Sequence, residues 1–253
     1  MKISGLQKFT MVDFPGLIAA TVFTRGCTFA CPFCHNPELV VPEKFIPLMD
    51  NDEIMVFFEK RKKQLKGVCI TGGEPTLQRD LPGFIQKLKA MGYKIKLDTN
   101  GTNPEMLEIL IKSANIDYIA MDIKSSIPKY TMTVSSSQFP VPNEKLKTDK
   151  LNENWKLKNE NLIAIIKRSI RLIMQSDIDY EFRTTVCHPI HAVTDFEEIG
   201  KLIKGAKRYY IQNFVQSKHI DEHQKFKSFS DEELSSAKKT MKKYIKEVEL
   251  RSI

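Results

Sequence analysis

Residues 17–40, "LIAATVFTRGCTFACPFCHNPELV", join a short apolar, β-branched run to a loop that holds three of the chain's five cysteines within eight positions. The run at 17–23 has the composition of a buried strand. The loop after it has the spacing C-x3-C-x2-C, with no fourth cysteine beside it. Reactive side chains placed just after a buried strand are what an α/β fold with its site at the strands' carboxyl ends requires.

The alternation continues outward from there. "DEIMVFFEKRKKQL" (52–65) has helical periodicity and "GVCIT" (67–71) is strand-like. "RDLPGFIQKLKAMG" (79–92) is helical and closes on a glycine suited to the position after the cap, and "YKIKLDT" (93–99) is a strand. "NPEMLEILIKSA" (103–114) is a helix with Asn103 as cap and Pro104 in its first turn. Then come "IDYIAMDIK" as strand, "NENLIAIIKRSIRLIMQS" as helix, "IDYEFRTTV" as strand, "DFEEIGKLIKGA" as helix, "RYYIQNFV" as strand and a closing helix from about residue 230. Six strand and helix units of this kind mean βαβ crossovers and a parallel sheet, either open and doubly wound or curled into a full or partial barrel.

With 253 residues, 42% hydrophobic and 28% charged, the chain suits a single domain spanning 1–253. It shows neither a signal-peptide pattern nor an apolar run of membrane-spanning length, so the expected compartment is the cytoplasm, with no membrane partner. Disulfides are rare there, which turns the clustered thiols toward metal or redox chemistry. The formal charge of +8 invites nucleic acid, but the lysines are spread and mixed with acids, as in "KKTMKKYIKEVELR", and read better as solvated helix faces.

The unusual polar residues cluster at the predicted strand ends: Cys27 after the first strand, Gly72, Gly73 and Glu74 after the second, Asp98 and Asn100 at the third, Asp122 and Lys124 at the fourth. Arg183 lies on the fifth, and Gln212 and Asn213 on the sixth. One segment breaks the rhythm. Residues 125 to about 158, rich in Ser, Pro, Asn and Lys and holding the only tryptophan, Trp155, read as a tolerated insertion, with an ordered lid or partner-binding segment as the alternative. His188 and His191, in "CHPIH", read as surface-loop histidines rather than as an acid and base.

Three thiols fall short of the four ligands of a closed structural zinc site, and His35, adjacent to Cys34, is poorly placed to join one tetrahedron. A cluster of four irons held by three thiolates leaves one iron open to another ligand. Cys69, inside a strand, and Cys187 read as buried small residues instead.

"CTFACPFC", with Phe33 before the last cysteine, resembles the signature of the radical S-adenosylmethionine (SAM) superfamily, and "TGGEP" (71–75) resembles that superfamily's second motif. Together with "DFPG" (13–16), "CHNPEL", "LDTNG" (97–101) and "MDIK" (121–124), the chain is similar to the activating proteins of glycyl radical enzymes, in particular the longer form that serves anaerobic ribonucleoside-triphosphate reductase. The resemblance covers most of the chain and is weakest over 125–158 and the last helix.

The resemblance implies a partial (β/α)6 TIM-like barrel of parallel strands. It implies a [4Fe-4S] cluster on Cys27, Cys31 and Cys34, with the amino and carboxylate groups of SAM on the fourth iron. Reductive cleavage then yields methionine and a 5′-deoxyadenosyl radical, which takes the α-hydrogen of a glycine in a partner enzyme. The implied cofactor contacts are Phe33, His35 and Asn36 toward adenine or the cluster loop, and Gly72, Gly73, Glu74 and Pro75 toward the methionine ammonium. Asp98, Asn100, Asp122, Lys124, Arg183 and Gln212 would face the ribose, the carboxylate or a small cation. The expected partners are the large subunit of an anaerobic ribonucleotide reductase and a reduced flavodoxin or ferredoxin as electron donor, because the two remaining cysteines are too few for a second cluster. A radical enzyme acting on a small metabolite, such as a deazapurine precursor, and a non-catalytic zinc or nucleic-acid-binding module are the alternatives.

Overall fold

The computed structural model describes residues 1–134, 150–216, 220 and 225–251. Their contacts divide them into two compact units. One is built from Met1–Thr28, Asn36–Met121 and Leu172–Tyr180, the other from the described residues of Phe29–His35, Asp122–Arg171 and Glu181–Ile253.

The first unit runs β1 (Ile3–Thr10), β2 (Ala19–Thr24), α1 (Asn51–Arg61), β3 (Gly67–Gly72), α2 (Leu81–Ala90), β4 (Lys94–Thr99), α3 (Pro104–Lys112) and β5 (Tyr118–Asp122). Strands β2 to β5 pair in chain order and in parallel. The helix ends follow from local chemistry. Asp50 caps α1 through the Asp52 and Glu53 amides, and Asn103 accepts from the Met106 amide at 3.1 Å to start α3, with Pro104 in the first turn. Past the end of α2, Gly92 takes φ +90°, which a residue with a Cβ resists.

Strand β1 is a correction to the sequence reading, which placed nothing before residue 17. It runs antiparallel to β2, from Ile3 opposite Thr24 to Thr10 opposite Ala19, with two register shifts. Only Ile3, Ser4 and Thr10 along it are buried, so no apolar alternation marks it in the sequence.

The elements wholly or mostly in the second unit are α4 (Tyr130–Val134), α5 (Lys150–Met174), β6 (Asp179–Val186), α6 (Asp195–Leu202), β7 (Arg208–Asn213), α7 (Asp231–Met241) and β8 (Glu247–Arg251). Strands β6, β7 and β8 are parallel. Helix α7 opens with a capping box between Ser230 and Glu233, as its predicted start implies. The chain does not end on this helix, however. It returns as β8, a charged strand of which Val248 is the buried residue, and that charge hid it.

The segment 125–158 also departs from expectation. Ser125 and Ser126 are buried, Ile127–Lys129 forms a 3-10 turn leading into α4, and α5 begins at Lys150. The Asp195 carboxylate fixes the turn by accepting from Ser126 Oγ at 2.9 Å and Lys129 Nζ at 2.8 Å. Residues 135–149 lie outside the described residues.

Candidate active site

The cysteine loop leaves β2 within the first unit, and the turn after β3 is fastened to its base. The Gly73 amide donates to Thr24 O and the Glu74 amide to Gly26 O, both at 2.8 Å. A Cβ on Gly73 would lie 2.0 Å from Gly26 O, and one on Gly72, which has φ +111°, would lie 2.5 Å from Thr24 N and O. The two glycines are therefore required by the approach of the chain's own backbone at Thr24 and Gly26, just before Cys27.

Glu74 is fully buried and its carboxylate is spent inside the fold. Oε1 accepts from the Thr76 amide (3.1 Å), Thr76 Oγ1 (2.5 Å) and Thr99 Oγ1 (2.8 Å), and Oε2 accepts from the Asn100 amide (2.6 Å). Burial pushes its pKa up, and these bonds, led by Thr76, only partly offset the rise. The side chain thus staples the "GGEP" turn, including buried Pro75, to the end of β4. Asn100 continues the staple toward the loop: its Nδ2 donates to Thr28 Oγ1 at 3.0 Å and lies 3.6 Å from Cys27 Sγ. Asp98, on the same strand, pairs with Lys96, a buried lysine that the sequence reading passed over and whose Nζ lies 3.7 Å from Cys69 Sγ. Asn36 precedes the 3-10 turn Pro37–Leu39, and its carbonyl accepts from the Leu39 amide.

In the second unit, Cys31 and Cys34 form one tight turn, closed by Cys34 N–H donating to Cys31 O at 3.1 Å. Phe33 is 4% exposed and packs edge-on against His191 and Phe226. His35 Nε2 meets Val215 O at 3.0 Å, and its ring stacks on Phe214. Both side chains thus serve loop packing in this structure.

Asp122 ends β5 between two cations. Lys124 Nζ stands 2.7 Å from Oδ2, and Arg183 Nε, on β6, 2.5 Å from Oδ1. Burial raises the Asp122 pKa, but the Arg183 and Lys124 charges outweigh it and hold the carboxyl well below its usual range. Burial likewise lowers the Lys124 pKa, while the charges of Asp122 and then of the Cys31 sulfur more than compensate, so the ammonium is kept. Gln212 accepts weakly from Thr185 Oγ1 across the β6–β7 pair at 3.4 Å. Asn213 is clamped to the Phe229 backbone by two bonds of 2.9 Å.

His191 is a second correction. It is 2% exposed, not on the surface, and burial pulls its pKa down. His188 is half-buried, facing Glu233 and stacked on Phe229.

Cys27, Cys31 and Cys34 are partly exposed, whereas Cys69 and Cys187 are 0% exposed, and burial pushes the Cys187 thiol up to about 12. Among the described residues, no three His, Cys, Asp or Glu side chains already stand together as a metal cage. The donor set is nonetheless the one an iron–sulfur cluster takes: accessible soft sulfur donors on one short loop.

The profile of the Radical SAM superfamily matches residues 21–204, from β2 through α6. The chain belongs to the radical SAM superfamily. This radical SAM protein is 32% identical over 99% of its length to an inferred glycyl-radical enzyme activating enzyme of Methanocaldococcus jannaschii, of which it covers 96%. It is 31% identical over 156 residues to the pyruvate formate-lyase-activating enzyme of Listeria monocytogenes, 55% of this chain and 60% of that one. Among solved structures, Streptococcus suis SuiB bound to S-adenosylmethionine matches with a TM-score of 0.59 at 15% identity, over 90% of this chain and 48% of SuiB. At that identity the likeness establishes the fold alone, a mostly parallel α/β sheet of the partial-barrel type.

Proposed function

We propose that residues 1–253 work as one radical SAM domain that cleaves S-adenosylmethionine and installs a radical on a glycine of a partner enzyme, an anaerobic ribonucleotide reductase. The observation that carries the reading is the full-length similarity to a glycyl-radical enzyme activating enzyme, together with three accessible thiols at the motif positions. When bound, the cluster supplies the electron that splits the sulfonium, and the released adenosyl fragment supplies the hydrogen abstraction.

The chain's own residues bind and orient. Cys27, Cys31 and Cys34 would hold three irons. The Glu74 staple fixes the backbone of residues 72–74, so that turn offers its carbonyls rather than the Glu74 carboxylate to the methionine ammonium. Lys124 and Arg183 are locked by Asp122 in one arrangement, suited to receiving the carboxylate without paying to order two long side chains. Asp98, Asn100 and Gln212 are the remaining polar contacts of the proposal, and Phe33, His35 and Asn36 shape the loop. Electrons come from a reduced flavodoxin or ferredoxin.

The test is to mix the anaerobically reduced holoprotein, S-adenosylmethionine and an anaerobic ribonucleotide reductase large subunit. A glycine-centred radical seen by electron paramagnetic resonance, formed with 5′-deoxyadenosine, is the expected result. Cleavage that produces no protein radical would turn the assignment toward a small-molecule substrate.

A further inference from the structure

The geometry points to His191 as a positioning residue that fastens the cysteine turn to the backbone at Lys124, an inference that rests on the radical SAM reading of that turn. The Cys187 amide donates to Nδ1 at 3.2 Å, so this nitrogen carries no proton; Nε2 therefore carries it and donates to Lys124 O at 2.8 Å. The ring meets Phe33 edge-on, with centroids 5.7 Å apart at 80°. Phe33 stands between Cys31 and Cys34, and Cys31 lies against the same apolar cluster of Phe33, Cys187, Phe214 and Ile220. One imidazole therefore ties together the thiol turn, the backbone of Lys124 and the turn after β6. Lys124 is the residue whose ammonium is paired to Asp122 and feels the Cys31 thiol.

An ordinary core residue could supply the ring packing but not the two directed bonds. His188, three residues earlier, provides the contrast: its ring faces Glu233 and stacks on Phe229 at the start of α7.

The experiment uses the anaerobically reconstituted holoprotein. His191→Phe keeps the ring and loses both bonds, whereas His191→Gln can still donate to Lys124 O. We expect His191→Phe to hold iron about 10- to 100-fold more weakly in competition with a chelator, the usual penalty for losing a residue that orients metal ligands. It should also need correspondingly more S-adenosylmethionine to shift the paramagnetic spectrum of the reduced cluster. His191→Gln should recover most of both properties, and His188→Ala should match the wild type. If His191→Phe does not fold, His191→Asn, too short to reach Lys124 while still meeting Cys187, takes its place with the same expectation. Wild-type iron retention and spectra in His191→Phe or its replacement, or a His191→Gln protein as defective as His191→Phe, would overturn the inference. A wild-type chain that takes up no iron would instead remove the reading on which it rests.

Discussion

Gly73 carries a sharp constraint. Its missing Cβ leaves room for Gly26 O at what would be 2.0 Å, so Gly73→Ala has to push the turn after β3 away from the root of the cysteine loop. Overpacking of this kind costs about 1–3 kcal/mol. Thermal unfolding should show that loss, and iron uptake should fall with it; an alanine variant with wild-type melting and uptake would mean that the contact is not needed. The cysteines divide by exposure. Cys27→Ala, Cys31→Ala and Cys34→Ala should each abolish S-adenosylmethionine cleavage, while Cys69→Ala and Cys187→Ala, which alter only buried sulfur, should retain it. The sequence showed this division because a C-x3-C-x2-C loop stands apart from isolated cysteines in apolar runs. It could not show that Glu74 is spent on Thr76, Thr99 and Asn100, because those partners come from another strand and meet it only in the folded chain.

At the scale of an element, Asp195 shows how a helix start supports a distant turn. Its carboxylate accepts from Ser126, Lys129 and the Ala192 amide and is 7% exposed. Burial raises its pKa, but these partners, Lys129 first, lower it further than burial raises it, so the folded value lies below the ordinary 3.8. The sign follows directly. The stabilisation is complete above pH 3.8 and is lost as the pH falls through the lower folded value. Asp195→Asn should cost about 1–3 kcal/mol at neutral pH, the loss expected when buried partners are left poorly satisfied. Urea titrations should show the gap between the two proteins closing below about pH 4. A gap that is constant with pH would exclude this ionisation as its source.

Periodicity revealed β2 to β7, helices α1, α2, α3, α6 and α7 and the later part of α5, but not α4, which lies in the segment read as an insertion. It missed β1 and β8 because Ile3, Ser4 and Thr10 in one, and Val248 in the other, are too few buried positions to make a pattern. The 3-10 turn Ile127–Lys129 was hidden for a different reason: its Ser and Pro residues read as loop signals, whereas they open a turn held by Asp195.

For the whole molecule, the formal charge of +8 separates readings of its partner. Many of the cations are already paired, among them Lys89 and Lys94 with Asp117, Lys124 and Arg183 with Asp122, and Arg251 with Glu181. Nucleic-acid binding that depends steeply on salt is therefore not expected, and a filter-binding titration across salt concentrations checks this. No helix among the described residues is long and apolar enough to cross a membrane. The measurement that bears most directly on the account is anaerobic: reconstitute with iron and sulfide, reduce with dithionite, add S-adenosylmethionine, and quantify 5′-deoxyadenosine, iron and zinc on one sample. The account predicts cleavage with about four irons per chain, the content of one such cluster. Stoichiometric zinc without cleavage after reconstitution would contradict it.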